Sequence, residues 1–321
     1  MRKLLSPQHL LFRFRQCFLE HVIALLAPGQ GSQKPGMLTA WLDQPAAVDR
    51  LRAWSEIADL DLVRLGTVAE ADEITDTAVT QPLVVAAALL AFEQMGAQPA
   101  DTIVAGHSVG ELAAAAVAGV ITSDEAVRLA AIRGRAMAAA CALVPTSMTA
   151  VLGGDQAEVL ERLADYDLVP ANMNAAGQIV AAGAVENLQK LADNPPEKVR
   201  LRPLAVAGAF HTAFMAPAQE AVAAAAAEIT PRDPQLTLLS NRDGRPVTTG
   251  EAALSQIIAQ VTLPVRWDLC TATMREAEVS TVVELPPAGT LVGIAKRELK
   301  GVPQVAVKTP ADLAELLAAA R

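Results

Sequence analysis

Ser108 sits at the centre of Gly106-His107-Ser108-Val109-Gly110, a G-x-S-x-G pattern. A serine so placed can attack a carbonyl carbon if the backbone lifts its hydroxyl out of the fold and a base takes its proton. The flanking residues meet the first condition. Thr102-Ile103-Val104-Ala105 before it is short, apolar and β-prone, and Glu111-Leu112-Ala113-Ala114-Ala115-Ala116-Val117 after it has high helix propensity. A strand turning sharply into a helix holds the central residue in strained geometry, and the two glycines make room for the turn. The helix start also brings unpaired N–H groups beside the hydroxyl, where an oxyanion would develop. In this setting Ser108 reads as a nucleophile ahead of a plain turn serine.

The base must come from four histidines. His9 and His21 lie in or at the edge of an N-terminal stretch of different composition. His107 adjoins Ser108, and consecutive side chains at such an elbow point apart. His211 is left, in the loop Gly208-Ala209-Phe210-His211. A lone loop histidine is more often structural, but beside a serine nucleophile elimination makes it the base. Its place after the serine fits the order of hydrolase-like folds. A second loop, Ala27-Pro28-Gly29-Gln30-Gly31-Ser32-Gln33, lacks the G-K-[ST] of a P-loop and misplaces the third glycine of a dinucleotide fingerprint. It is either a tight turn or a row of backbone N–H groups aimed into a site.

The elements around these residues alternate between helix and strand. Val22–Leu26 is a buried-strand candidate, residues 39–66 read as irregular helix, and a helix starts within Ala78–Pro82 and runs to about Met95. Ser123-Asp124-Glu125 caps the next helix, which carries Arg133 and Met137. From Pro145 the pattern changes: strands at 148–152, 169–173, 178–182 and 199–204 with helices at 155–166 and 186–192, the βαββαβ order of a ferredoxin-like unit. Beyond it come a helix at 213–229, strands at 236–240, 279–285 and 305–307, and helical segments at 250–260 and after Thr290.

Composition excludes several classes. The net charge of -9 argues against nucleic acid as a partner. The longest apolar run, Pro82–Phe92, is too short to cross a bilayer. Cys17, Cys141 and Cys270 are too widely spaced for a metal or disulfide framework, so no metal is expected and the chain reads as cytoplasmic. Arg13 and Arg15 interrupt any signal-peptide core in residues 1–21. That stretch is a basic amphipathic helix or, in the preferred reading, an extension outside a fold that begins at Val22.

From Val22 onward the chain resembles the bacterial malonyl-CoA:acyl carrier protein transacylases. The resemblance rests on Pro28-Gly29-Gln30-Gly31-Ser32-Gln33, Thr80-Gln81-Pro82, the Ser108 pentapeptide with Glu111, Arg133-Gly134 with Met137, Asn172 and Asn174 before Gly177-Gln178, Phe210-His211, and Gln260 ahead of Pro264-Val265-Arg266-Trp267. It implies an α/β fold: a large hydrolase-like catalytic domain with a parallel sheet over residues 22–145 and 206–321, and an inserted ferredoxin-like subdomain over 146–205. It further implies that Ser108 attacks the malonyl thioester and His211 shuttles the proton. The backbone N–H groups of Gln30 and Val109 would hold the oxyanion, and the Gln260 carbonyl would orient the histidine. Arg133 would pair with the malonyl carboxylate, Phe210 would set the volume beside the α-carbon, and Met137, Gln81, Asn172, Asn174 and Gln178 would shape the site. Read from the residues alone, Arg133 could equally be an exposed helix arginine and Phe210 a core aromatic.

The resemblance implies no cofactor, malonyl-CoA and an acyl carrier protein as partners, and service to fatty acid biosynthesis; a monomer is the simplest assembly. Acidic carriers would need a basic dock, for which Lys190, Lys198, Arg200 and Arg202, or Lys296, Arg297 and Lys300, are candidates against the plain reading of solvated faces. The competing readings are a serine thioesterase, a polyketide or decarboxylase malonyltransferase, and a non-catalytic carrier-binding protein. Arg133 divides them, because only a carboxylate-bearing acyl group requires a buried cation. Arg133→Ala should therefore cost malonyl transfer far more than acetyl transfer in parallel acyl-CoA assays; equal losses would remove that role.

Overall fold

The structure is a computed structural model and describes residues 22–96 and 98–319. The N-terminal extension expected over residues 1–21 lies outside the described residues. In chain order the first elements are β1 (Ile23–Ala27), α1 (Pro45–Ala58), α2 (Leu62–Thr67), α3 (Thr77–Phe92), β2 (Ile103–Gly106), α4 (Gly110–Val117) and α5 (Ser123–Cys141). Next come β3 (Thr146–Gly153), α6 (Gln156–Asp165), β4 (Val169–Ala175), β5 (Gln178–Ala184), α7 (Val185–Asp193) and β6 (Val199–Pro203). The last are α8 (Ala216–Ala226), β7 (Thr237–Leu239), β8 (Pro246–Val247), α9 (Gly250–Gln260), α10 (Trp267–Glu276), β9 (Thr281–Glu284), α11 (Thr290–Glu298), β10 (Gln304–Ala306) and α12 (Pro310–Ala319).

The larger sheet has the order β10-β9-β1-β2-β7-β8 and is parallel except for β8, which pairs antiparallel with β7. Every residue of β1 is buried, as a strand covered on both faces must be. One face packs Leu25 and Val104 against a core that includes Trp41, Trp54 and the apolar length of α3. The other packs Leu26 and Ala105 against Trp267 and Leu291. The βαββαβ segment forms a separate antiparallel sheet of order β4-β5-β3-β6. Val151, Ile179 and Ala181 point to α6 and α7. Alternation sends Met148, Ala150 and Val180 to the opposite face, toward the larger sheet. The edge strand β4 is tied to the rest by two backbone hydrogen bonds of 2.9 Å: Met173 N–H donates to the Val265 carbonyl, and Val265 N–H to that of Ala171.

The α/β class and the four-stranded insertion follow the sequence-based expectation; several boundaries shift for local reasons. The helix expected over 213–229 begins as a 3-10 turn at Ala213–Met215, where Thr212 accepts from Phe214 N–H, and becomes α8 only from Ala216. Thr122, one residue before the expected cap, closes the N-terminus of α5 by exchanging hydrogen bonds with Glu125.

The β2–α4 turn is the tightest point. Ser108 has φ 54°, the left-handed region. The glycines serve close approach rather than φ. A Cβ on Gly106 would lie 2.0 Å from the Gly110 carbonyl oxygen, and one on Gly110 would lie 2.3 Å from that of Ala27. Both obstacles are backbone and cannot rotate away. Gly110→Ala should destabilise by about 2–3 kcal/mol in urea unfolding, as overpacking does. Gly293→Ala, whose Cβ meets nothing within 4 Å, is the control and should be neutral or mildly stabilising. Similar midpoints for the two variants would contradict the packing argument.

Candidate active site

The parallel strand β2 delivers Ser108 to its C-terminal end, and the chain after β6 brings His211 to the same point. The Ser108 hydroxyl lies 2.8 Å from His211 Nε2, and His211 Nδ1 lies 2.8 Å from the Gln260 carbonyl oxygen. A carbonyl only accepts, so Nδ1 carries the proton and Nε2 is left to accept from the serine. This dyad can generate an alkoxide-like nucleophile without a carboxylate. His211 itself has φ 61°, so both partners sit in left-handed backbone.

Arg133 reaches the dyad from α5. It is 2% exposed. Its guanidinium donates to Gln81 Oε1 of α3 at 2.6 Å, to Gln260 Oε1 at 3.1 Å and to Ser108 Oγ at 3.3 Å. Among the described residues no carboxylate is in ion-pair contact with it. The sequence left an exposed helix arginine open, and the burial rules that out. What remains is a buried cation held by neutral oxygens beside a nucleophile, an arrangement able to receive an anionic group. Gln81 is held in turn by its Nε2 donating to Met137 Sδ at 3.4 Å.

These groups open onto a cleft of about 420 Å3 between the two sheets, lined among others by Gly29, Gln30, Met137, Asn172, Asn174 and Phe210. Asn172 and Asn174 share a face of β4, as their spacing predicts. The backbone N–H groups of Gln30 and Val109 donate to no intramolecular acceptor among the described residues and flank Ser108 from the two loops. The Gln30 side chain is anchored on Thr77 Oγ1 at 3.0 Å. Phe210 is both core and lining: it packs with Met137 and Met148 while facing the cleft. Gln178 accepts from Arg297 of α11, and both line the cleft.

His107 bonds to Asn174 Oδ1 at 2.9 Å and not to the serine, as expected of consecutive side chains at an elbow, and it belongs to the lining of the same cleft. Of the basic candidates, Arg297 lines the cleft. Arg200 and Arg202 lie opposite Leu152 and Ala150, and so on the cleft-facing side of the sheet. Lys190 sits on α7, packed against the other side.

Two residues of the site had no role in the sequence reading, Asn241 unnamed there and Glu111 named only as part of the serine motif. Asn241 follows β7 and clamps the elbow: its Oδ1 accepts from Ser108 N–H at 2.9 Å, and its Nδ2 donates to the Gly106 carbonyl at 2.8 Å. Glu111, 3% exposed, accepts from Asn241 N–H at 2.6 Å and from Gln260 Nε2. The signals were available: a polar residue just past the C-terminal end of a parallel strand, and a lone charge opening an otherwise apolar helix.

Residues 25–315 match the acyl transferase domain family. The chain is 64% identical over 299 residues to the malonyl CoA-acyl carrier protein transacylase of Mycobacterium tuberculosis strain H37Rv, covering 92% of this chain and 99% of that protein. The transacylase of the same name from Escherichia coli K12 is 32% identical over 304 residues, covering 92% and 98%. The crystal structure of MCAT from Mycobacterium tuberculosis superposes with a TM-score of 0.90 at 64% identity over 92% of this chain and 100% of that one. A type II PKS acyl-carrier protein in complex with its malonyl-transacylase, PlMCAT:AntF, matches at 30% identity and a TM-score of 0.85, covering 92% and 99%.

The electrostatics of the dyad follow from its burial. Desolvation, joined by the Arg133 charge, pushes His211 down to about 3. Burial likewise lowers Arg133, to about 10, so it stays cationic at neutral pH while the imidazole stays neutral. The unfolded chain protonates His211 near 6.5, before the folded one does. Stability should therefore be full above pH 6.5 and fall as pH drops from 6.5 toward 3, by up to about 1.4 kcal/mol per pH unit. His211→Gln should flatten that slope in urea titrations across the window; an unchanged slope would contradict it.

Proposed function

Because this chain belongs to the acyl transferase domain family and, within it, to the bacterial malonyl-CoA:acyl carrier protein transacylases, we propose that Ser108 carries a malonyl group from coenzyme A to the phosphopantetheine thiol of an acyl carrier protein. The supporting observation is the buried, carboxylate-free Arg133 guanidinium 3.3 Å from the nucleophile. In the first half-reaction Ser108 Oγ attacks the thioester carbonyl as His211 Nε2 takes its proton. The N–H groups of Gln30 and Val109 receive the oxyanion, a contribution of about 3 kcal/mol per donor in comparable sites. Collapse expels the coenzyme A thiolate, which recovers the proton from His211, leaving malonyl-serine. The carrier thiol repeats the sequence in reverse.

A malonyl carboxylate on Arg133 also neutralises one of the charges that hold His211 low, so the base strengthens once the right acyl group is seated. Acyl exchange between two thiols by serine and histidine balances without a metal or redox cofactor. One chain supplies the dyad, the cation and both oxyanion donors, which supports a monomer as the working unit. Arg297 in the cleft lining, with Arg200 and Arg202 on the same face of the smaller sheet, would meet an acidic carrier. A cytoplasmic location and service to fatty acid biosynthesis belong to the same reading; among the described residues no helix is long and apolar enough to cross a membrane.

Intact-protein mass after mixing with malonyl-CoA tests the covalent step. A single malonyl adduct on the parent, absent from Ser108→Ala and discharged by carrier thiol, is the expected result. Adduct on both proteins, or on neither, would refute it. Rapid discharge by water alone would instead favour a thioesterase.

A further inference from the structure

Glu111 is a buried carboxyl that the acyl-transfer steps above do not use. It stands in the first turn of α4, three residues after the nucleophile; its N–H donates to the Ser108 carbonyl at 2.9 Å, but its carboxyl bonds neither Ser108 Oγ nor any residue that lines the cleft. Both of its oxygens face N–H donors: Oε1 the backbone of Asn241, Oε2 the side-chain amide of Gln260. A carboxylate satisfies both donors, whereas a neutral amide in its place satisfies one and sets N–H against N–H at the other. Burial raises the Glu111 carboxyl to about 8, against the pull of the Asn241 N–H, the Arg133 charge and Gln260, so the carboxylate that this donor pair calls for is the form that prevails above that pH. The titratable side chains that interact electrostatically with Glu111 are Arg133 on α5 and Cys270 on α10.

Gln260 occupies a pivotal position. Its main-chain carbonyl holds His211, and its side-chain Oε1 holds Arg133. Its Nε2 points the other way, to Glu111, with the Ser108 carbonyl and Asn241 Oδ1 each 3.2 Å off. If the amide turned over, Nε2 would face the guanidinium and Oε1 would face a carboxylate. The strongest acceptor therefore determines which end of the amide meets Arg133.

We propose that Glu111 is a positioning residue for acyl selection: by holding Gln260 Nε2 it keeps Gln260 Oε1 on Arg133, and so holds the guanidinium aimed at the malonyl carboxylate. This rests on Arg133 receiving that carboxylate, as argued above. Glu111 acts through Gln260 and does not touch substrate, so its loss should appear in the choice between malonyl and acetyl rather than in acyl transfer at large.

The test is the ratio of kcat/KM for malonyl-CoA to that for acetyl-CoA, taken on one preparation of each full-length variant. Partial unfolding scales both rates together and cancels from the ratio. Glu111→Gln should lower the ratio at least tenfold, most of it in the KM for malonyl-CoA. Gln260→Met, which keeps the carbonyl on His211 but removes the amide, should lower it similarly. The double variant should fall no further than the worse single one, since the two act in series. A ratio within threefold of the parent in Glu111→Gln overturns the proposal, as does a multiplicative double variant. If Glu111→Gln fails to fold, a Gln260→Met protein with the parental ratio overturns it equally. A parent protein with no preference for malonyl removes both this inference and the function it rests on. A parent that prefers malonyl beside variants that keep the preference removes Glu111 alone.

Discussion

A guanidinium shut away from water, with no carboxylate in contact, is the constraint around which the site is arranged. An isolated buried cation is unfavourable by several kcal/mol unless dipoles replace its hydration. Arg133 finds them in Gln81 from α3, Gln260 from α9 and Ser108 from the β2–α4 turn. Three elements distant in the chain must converge for the charge to be tolerated. Neutral oxygens also leave the cation electrically unsatisfied, and therefore open to an anionic ligand. A direct aspartate or glutamate partner would have made a more comfortable core and a closed site.

The same economy governs the backbone. Ser108 at φ 54° and His211 at φ 61° both occupy a region that L-residues avoid. Neither could stay there alone. Ser108 is clamped by Asn241 on its N–H and by a turn packed glycine against backbone. His211 is pinned through its ring to the carbonyl at the end of α9, while Thr212 beside it bonds back to the Ala209 carbonyl at 2.7 Å. Rigidity in the parallel sheet thus becomes fixed geometry at 2.8 Å between two side chains 103 residues apart.

The sequence made legible those parts of the site whose residues carry a local signal. The serine announces itself by its glycines, and His211 by the scarcity of histidines. The insertion shows in its alternation of strands and helices. Gln30, Arg133, Met137, Asn172, Asn174, Phe210 and His211 line one cleft with Ser108, and Gln81 and Gln260 reach it through Arg133. What stayed hidden depends on non-local contact. Nothing in the run after Gly110 says that Glu111 will face Gln260, because that contact needs α9 laid across α4. Nothing in the sequence around Asn241 gives away its role, because that role depends on β7 lying beside β2. His107 was set aside on the rule that neighbours at an elbow diverge. They do diverge in their partners, yet a cleft floored by β4 is broad enough to take both.

The pair of hydrogen bonds between β4 and Val265 carries a consequence for traffic through this molecule. Exposed β-edges invite pairing with foreign strands, and these bonds close one such edge. They also lock the two walls of the slot together, so that prying them apart would break main-chain pairs. A jaw braced in this way favours slender visitors. Reach must then be supplied by whatever enters, as a thin flexible tether threading inward while its bulky bearer waits at the rim. Size exclusion of that kind filters by shape before any chemistry begins.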